Sequence, residues 1–403
     1  MKQLLSLLFA LMGLTKICAE TTVKATIVSP IDIEHYPVVL PIKNYENVKT
    51  GRVCINGKEI PCQVDDLDKD GTGDELCFLV NLKRKKPLDA IITLNPKTVV
   101  AYPAMTYAEM VLRNPKIKEK NKQDIYISAI TIDKATVNPY NVLHHHGVAF
   151  ENELIAMRIY MDKRQTIDLY GKYNKGLELH DTQFYTSEKQ KSEGYGDDIL
   201  WVGNSFGLGA LRGWNGKDPT FVDPVAYRTQ RIVTQGPVRT IVEIEDEGWA
   251  VDSCHEPLNM TLRYTLYACH RDVDVHVKFR QVPPCQLFST GLVNIKGSSE
   301  FTDHNGLRGC WGTAWPANDT INWKKETVGL GICLPQKYIV KELSATNDNY
   351  GYVIRPVEKE INYKLTYSSA NETYGFHDKK SWFDYLQTWK KTNDAVVKIT
   401  VHK

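Results

Sequence analysis

The sequence predicts a mainly β protein, and three observations lead to this prediction. Apolar and polar residues alternate in short runs that are rich in β-branched and aromatic side chains. Turn-forming residues interrupt these runs at short intervals. One stretch near the end, residues 381–391, is typical of an amphipathic helix, because Trp382, Tyr385, Leu386 and Trp389 share one stripe. Ser381 is the expected N-cap of this short C-terminal helix.

Residues 1–19 predict a secretory signal peptide. Lys2 is followed by an apolar segment from Leu4 to Leu14, and Ala19 supplies a small residue at the cleavage position. The segment is too short for a membrane span, and its flanks are wrong for one. We therefore expect cleavage after Ala19 and a periplasmic or secreted mature protein that does not span the membrane.

The strand-like runs fall into two groups, which predict two domains. The first group lies at 24–30, 37–43, 51–57, 76–82 and 90–96, and later runs include 124–133, 239–248, 260–268 and 273–282. We expect a small N-terminal β-sandwich at residues 20–98. A larger β-sandwich at 110–403 would contain any catalytic site, because strands in such number are usually arranged as packed sheets.

Composition narrows the function only in part. The net charge is +2 and no basic block stands out, so we expect no nucleic-acid partner. We also expect no organic cofactor. Aromatic residues make up 10% of the chain, which suits stacking on sugar rings and equally suits β-sheet packing. Cys54 and Cys62 flank a predicted hairpin, where they form either a disulfide or two thiols.

An Asp-rich segment at residues 65–75 predicts a structural Ca²⁺ site. Asp66, Asp68 and Asp70 alternate along the chain, Gly71 allows a sharp turn and Asp74 follows. Hard oxygen ligands at alternate positions suit this cation. The flanks are strands and Cys77 stands where an EF-hand has glutamate, so the segment resembles the calcium loops found between β-strands. An ion-free Asp/Gly turn is the alternative.

The motif Gly203-Asn204-Ser205-Phe206-Gly207 matches the G-x-S-x-G pattern of hydrolase nucleophiles. That pattern requires a strand, a turn and a helix, yet two more glycines follow and an amphipathic helix does not. We expect a glycine-containing turn at a close approach of strands or ligand.

The segment 141–160 carries the main candidate for catalysis. His145 or His146 would act as the base, Tyr160 as the acid, and Arg158 would neutralise a substrate carboxylate. If residues 148–162 form one strand, Arg158 and Tyr160 lie on the face opposite Glu151. A metal site at the histidines and a solvent-facing polar strand are the alternatives.

Further polar and aromatic residues are candidates for substrate binding. They lie on separate predicted strands and loops that a sandwich can bring to one cleft: Asn152, Glu151, Glu153, Asp198, Tyr264, His276 and Trp311.

Three segments carry a family resemblance. They are "ENELIAMRIYMDKRQTIDLYGK" (151–172), "GDDILWVGNSFGLGAL" (196–211) and "QVDDLDKDGTGDELCFLV" (63–80). With them the chain resembles an exported family of glycan-degrading bacteria that carries a domain of unknown function (the 4861 type). The resemblance implies a fold like galactose mutarotase and the supersandwich lyases, and acidic polysaccharide fragments as substrates. It implies no catalytic residues.

We therefore expect a carbohydrate-active protein that acts on uronate-containing oligosaccharides by acid/base elimination, as a lyase or a dehydratase. Two alternatives remain open. One is a glycoside hydrolase that uses paired carboxylates. The other is a non-catalytic glycan-binding protein with Trp201, Trp311 and Trp315 as a stacking platform.

Overall fold

The computed structural model describes residues 20–133, 139–251, 256–317, 320–321 and 323–402. The predicted signal peptide lies outside the described residues. The predicted class is confirmed, since the chain is mainly β, with several open sheets and a short C-terminal helix.

The strands follow in chain order. The first ten are β1 (Thr21–Val28), β2 (Ile33–Pro41), β3 (Gly51–Ile55), β4 (Lys58–Ile60), β5 (Cys62–Asp65), β6 (Glu75–Leu82), β7 (Leu88–Leu94), β8 (Thr106–Glu109), β9 (Val111–Leu112) and β10 (Ile125–Tyr126). The next ten are β11 (Ala129–Asp133), β12 (Gly147–Asn152), β13 (Ala156–Tyr160), β14 (Ile167–Gly171), β15 (Asp197–Asp198), β16 (Arg212–Trp214), β17 (Pro219–Thr220), β18 (Tyr227–Thr234), β19 (Arg239–Trp249) and β20 (Leu258–Tyr267). The last nine are β21 (Asp272–Phe279), β22 (Phe288–Val293), β23 (Ser299–Thr302), β24 (Leu307–Ala314), β25 (Glu326–Cys333), β26 (Ile339–Glu342), β27 (Asn349–Ile354), β28 (Glu360–Ser369) and β29 (Lys398–His402).

The N-terminal sandwich has two sheets, ordered β29-β1-β7-β3-β4 and β2-β6-β5. Alternate residues of β1, namely Val23, Ala25 and Ile27, point into the core between them, as period-2 alternation requires. The last strand, β29, pairs antiparallel with β1, and Ile399 packs on the same core. The predicted domain boundaries assign β29 to the larger domain at 110–403. In the structure, however, the chain returns to the N-terminal sandwich, and β29 is an edge strand of that sandwich.

The larger part is built on a nine-stranded sheet ordered β11-β18-β19-β20-β21-β28-β25-β24-β23. Two five-stranded sheets, β15-β14-β13-β12-β8 and β17-β16-β22-β27-β26, pack against it. One continuous apolar core joins the three sheets, with fully buried residues such as Phe150, Tyr264 and Phe288. The sheet that contains β12 to β15 is the one that positions the candidate site.

In the part of the chain that the structure describes, three α-helices lie outside the sheets: α1 (Leu179–Thr182), α2 (Glu188–Ser192) and α3 (Lys379–Asn393). Trp382, Leu386 and Trp389 of α3 are buried as the stripe predicts. The N-cap is Asp378, not Ser381, because the Asp378 carboxylate accepts the backbone N–H groups of residues 380 and 381. Among the described residues, no helix combines the length and apolar character needed to cross a membrane.

Candidate active site

The histidine run lies just before β12 and lines a cleft. A backbone bond from His144 N–H to the Val111 carbonyl (2.7 Å) and a bridge between Leu112 and Leu143 hold the run against β9. The cleft has a volume of about 260 Å³. We call it the histidine cleft, and its lining is Arg113, Ile117, Lys118, Lys120, Gln123, Asn141, Leu143, His144, His146 and Tyr185.

His146 is held in one orientation and one tautomer. Its ring stacks on Tyr140 with 3.7 Å between centroids, and Nδ1 lies 2.6 Å from the Tyr140 carbonyl oxygen. Since a carbonyl oxygen only accepts, Nδ1 carries the proton. Burial, together with the positive charge of Arg158, lowers the pKa of His146 to about 4. The imidazole is therefore neutral near pH 7, and Nε2 has a free lone pair.

Tyr185 faces that lone pair. Its hydroxyl lies 3.3 Å from His146 Nε2 and 3.4 Å from the His144 carbonyl oxygen. Burial raises the pKa of Tyr185, and the nearby charge of Arg158 opposes this rise. A neutral base and a phenol that can donate a proton are thus adjacent in one cleft.

His144 and His145 differ from His146. Burial lowers the pKa of His144 to about 3, and its buried Nε2 has no hydrogen-bond partner among the described residues. His145 is fully buried, with Nδ1 2.8 Å from the Gly147 carbonyl oxygen and Nε2 3.2 Å from Glu109. Because both of its ring nitrogens are engaged, His145 has none left for a substrate.

Three cations make the histidine cleft electropositive. Arg113, Lys118 and Lys120 belong to its lining and are exposed, and the described lining residues include no carboxylate. Lys120 Nζ lies 5.1 Å from the centre of the Tyr185 ring. A cleft with this charge pattern suits an anionic ligand.

Arg158 is buried beside this cleft and is already paired. Its Nε and Nη2 donate to Asp168 Oδ2 at 3.0 and 2.7 Å, and Nη2 also donates to Asp198 Oδ2 at 3.1 Å. Its guanidinium carbon lies 4.2 Å from the centre of the Phe184 ring. Asp168 and Asp198 therefore already engage two of the guanidinium nitrogens, Nε and Nη2, on the protein side.

Tyr160 and Asp198 belong to the same network. The Tyr160 hydroxyl donates to Asp168 Oδ2 at 2.6 Å, and burial raises its pKa well above the usual range. Burial and the negative charge of Asp168 also raise the pKa of Asp198 well above its usual range. The Asp198 side chain is 18% exposed and that of Asp168 is 1% exposed, so Asp198 is the carboxyl that a ligand can approach.

Residues 148–162 do not form the single strand that the sequence indicates. They form the hairpin of β12 and β13, because Asn152 Oδ1 accepts the backbone N–H groups of Leu154 and Ile155 and closes a turn. Glu151 pairs with Ala156, two residues before Arg158 on β13, so Glu151 and Arg158 lie on the same face of the sheet. The expectation that they lie on opposite faces is therefore wrong.

Glu151, Asn152 and Glu153 make structural contacts. The fully buried Glu151 carboxylate bonds Lys172 Nζ at 2.6 Å and the N–H groups of residues 178 and 179. The Asn152 amide donates to the carbonyls of residues 267 and 270. Glu153 accepts the N–H of Cys269 at 2.8 Å. The structure does not bring these three side chains to the histidine cleft.

The other predicted binding residues are also dispersed. Tyr264 is fully buried in the main core. His276 lines a cleft on the opposite, outer face of the nine-stranded sheet and lies 3.3 Å from Glu360. Trp311 packs against Trp382 of α3.

The Asp-rich loop gathers three of the four predicted calcium ligands. Carboxylate oxygens of Asp66, Asp68 and Asp74 lie within 4.8 Å of one another. Asp70 instead accepts the N–H of residue 72 at 2.7 Å. Lys43 Nζ lies 2.6 Å from Asp74 and 3.2 Å from Asp68, so its ammonium group partly neutralises the three carboxylates.

The structure also shows the environment of Ser205 in the G-x-S-x-G motif and the state of the Cys54 and Cys62 side chains. Ser205 Oγ donates to the Val202 carbonyl at 2.6 Å and accepts the Gly207 N–H at 3.0 Å within the expected glycine-containing turn. Cys54 and Cys62 are thiols, and Cys62 Sγ donates to the Gly51 carbonyl.

Sequence reasoning missed Tyr185, Asp168 and the cations of the histidine cleft. A signal for the cations was present, because five of the ten residues from 113 to 122 are Lys or Arg. The expectation that no basic block stands out is therefore wrong for this segment. Tyr185 and Asp168 belong to no recognisable sequence motif, so the sequence alone contains no signal for them.

Comparison with known proteins identifies the family. The model of the family described as a domain of unknown function, DUF4861, matches residues 29–399. The chain belongs to the DUF4861 family. No curated protein matches it.

Two solved structures from Enterococcus faecalis are similar to this DUF4861 chain. A protein in the glycosyl hydrolase family 38 has a TM-score of 0.43 and 10% identity, over 94% of this chain and 47% of that chain. An alpha-mannosidase from strain V583 has a TM-score of 0.43 and 11% identity, over 94% of this chain and 46% of that chain. This chain therefore spans about half the length of either protein.

We predict that the DUF4861 chain loses stability as the pH falls from 6.5 toward 4. In the folded state His144 and His146 have pKa values of about 3 and about 4, below their usual value of 6.5. The unfolded chain therefore binds more protons in this range, so the stability present above pH 6.5 is lost on acidification. His144→Asn and His146→Asn should each flatten the dependence of the urea midpoint on pH. His180→Asn, at an exposed histidine outside the cleft, is the control. An equally steep dependence in both variants would contradict the assignment.

Proposed function

We propose that this DUF4861 protein is an exported enzyme that acts on uronate-containing oligosaccharides by acid/base elimination in the histidine cleft. The observation that carries the proposal is the pairing of a neutral His146 with Tyr185, 3.3 Å apart, in a cleft with three cations. Proton abstraction next to a carboxylate needs a base, an acid for the leaving group and positive charge near the carboxylate.

The positive charge is assigned to Lys118, Lys120 and Arg113. Arg158 held this role in the sequence-based hypothesis, but its guanidinium already bonds Asp168 and Asp198. The exposed lysines can approach a substrate carboxylate and stabilise the negative charge that develops on it when the adjacent carbon loses its proton.

The elimination then proceeds between two neighbouring groups. His146 Nε2 takes the proton from C5 of the uronate, and the electrons of that C–H bond form the C4=C5 double bond. The C4–O4 bond breaks, and the Tyr185 hydroxyl gives its proton to O4. The imidazolium proton of His146 restores the phenol. A sugar leaving group makes the enzyme a lyase, and loss of O4 as water makes it a dehydratase.

A hydrolase is the second candidate, and the Asp168–Asp198 pair favours it. Both Oδ2 atoms bond the same Arg158 nitrogen, and the raised pKa of Asp198 suits a general acid. The two candidates give different products, since hydrolysis adds water and elimination adds none.

Replacing the catalytic pair should abolish elimination while the fold is retained. We expect His146→Asn and Tyr185→Phe to lower kcat about 10²–10⁴-fold, because each removes one proton-transfer group. The assay is the ultraviolet absorbance of the new double bond, with product masses, on acidic oligosaccharides generated by lyases. His180→Asn is the control, and circular dichroism checks folding. Full activity in both variants would contradict elimination by this pair, and products that gain water would favour the hydrolase.

We expect the lysines of the histidine cleft to contribute to substrate binding by attracting the negative charge of the substrate. We expect the double variant Lys118→Met/Lys120→Met to raise KM about tenfold or more, with added salt weakening wild-type binding in the same direction. The double variant Lys116→Met/Lys122→Met removes the same charge from the same segment outside the described lining. Equal KM values for the two double variants would show that the cleft lysines do not contact the substrate.

We also propose that the loop of Asp66, Asp68 and Asp74 binds Ca²⁺ in a structural role. The donor set fits, because three carboxylates converge and Gly71, with a φ of 88°, permits the tight turn. The ammonium group of Lys43 competes for two of these carboxylates.

We therefore expect Ca²⁺ at about 1 mM to raise the melting temperature relative to a chelator. Lys43→Met should lower the temperature measured in the chelator and enlarge the increase that Ca²⁺ produces. Asp66→Asn/Asp68→Asn should remove that increase. Identical melting curves with Ca²⁺ and with chelator, in the wild type and in Lys43→Met, would contradict the site.

A further inference from the structure

A second cleft, larger than the histidine cleft, lies beside the glycine-containing turn at residues 203–207. Its volume is about 610 Å³, which is within the usual range for small-molecule sites. Its lining comes from residues 200–205, 293–296, 314, 315, 317, 320 and 347–349. We call it the tryptophan cleft, because Trp201 and Trp315 belong to its lining.

The two indoles give the tryptophan cleft apolar surface that the fold does not cover. Trp201 is 49% exposed, although tryptophan in a folded protein is usually well buried. Trp315 is half-buried in the same cleft, and Lys325 Nζ lies 5.7 Å from the centre of its ring. Flat, partly exposed rings in a concave site suit a ligand that has flat apolar faces of its own.

Four carboxamide side chains belong to the lining of the same cleft. Asn294 and Asn349 are braced, since Asn294 Nδ2 donates to the Thr346 carbonyl and Asn349 Oδ1 accepts the Phe206 N–H. Asn204 and Asn347 are exposed, and their side chains have no hydrogen bond to any described residue. Each carboxamide offers both donors and an acceptor, which is the chemistry that recognises hydroxyl groups.

The charge of the tryptophan cleft separates it from the histidine cleft. Its described lining has one cation, Lys296, and one anion, Asp348, whereas the histidine cleft has three cations and no carboxylate. These two lining charges balance, so the lining itself gives no electrostatic preference for an acidic ligand.

A short chain of contacts connects the two clefts. Arg164 Nη1 lies 3.4 Å from the Gly203 carbonyl oxygen, and its guanidinium lies 4.9 Å from the centre of the Tyr140 ring. Tyr140 in turn stacks on His146. Asp198, which contacts Arg158, also accepts the N–H of Leu200 at 3.2 Å at the edge of the tryptophan cleft.

We propose that the tryptophan cleft binds uncharged sugar residues, with pyranose faces stacked on Trp201 and Trp315 and hydroxyls bonded to Asn204 and Asn347. This inference deepens the proposed function. It rests on that function in one respect, namely that a single glycan contacts both clefts. It assigns the substrate a neutral portion beside the uronate. Binding of uncharged sugars, however, requires no chemistry in the histidine cleft.

The test is isothermal titration calorimetry of the full chain with neutral gluco-, manno-, xylo- and galacto-oligosaccharides. We expect at least one series to bind, and Trp201→Ala and Trp315→Ala each to weaken that binding about tenfold or more. Added salt should leave the affinity unchanged, because the ligand carries no charge. Tyr227→Ala is the matched control, since Tyr227 is 48% exposed on β18 and lies outside this cleft.

Two results would overturn the inference. One is that no neutral oligosaccharide binds the wild-type chain. The other is that the double variant Trp201→Ala/Trp315→Ala binds as the wild type does. Because the probes are uncharged and no turnover is measured, neither result depends on whether elimination takes place in the histidine cleft.

Discussion

The candidate site depends on the buried guanidinium of Arg158. A charge in this position is tolerated only with partners, and Asp168 and Asp198 supply them from the two neighbouring strands β14 and β15. The same group orders the aromatic residues, because it lies over Phe184 and shares Asp168 with the Tyr160 hydroxyl. Phe184 directly precedes Tyr185, so the ion-pair network fixes the phenol that faces His146. Its positive charge also helps to keep the His146 imidazole neutral. Arg158 therefore acts as a positioning residue behind the cleft.

The fold was largely predictable from local pattern. Alternation along β1 and the tryptophan stripe of α3 each specify which side chains are buried, and neither depends on a distant partner. The sheet to which β29 belongs was not predictable from local pattern. A short strand after a helix can pair with any open edge, and the first sandwich offers the edge of β1.

The site was predictable only in part, for a physical reason. The histidine run lies on the candidate cleft, but the role of each polar residue depends on partners far away in sequence. Glu151 was a candidate for substrate binding, but Lys172 and the N–H groups of residues 178 and 179 satisfy its carboxylate. Arg158 looked free until Asp168 and Asp198 were seen beside it. Tyr185 becomes a candidate catalytic residue only because the fold places it next to His146. No local sequence pattern predicts this contact.

The account depends most on the protonation state of His146, and long-range ¹H–¹⁵N correlation spectra of its imidazole measure that state directly. The His146→Asn variant assigns the signals. The structure predicts a neutral ring with the proton on Nδ1, which persists on acidification until the pH approaches about 4. A ring that is protonated on both nitrogens at pH 7, or a neutral ring with its proton on Nε2, would leave no base facing the substrate. Either result would contradict the proposed chemistry.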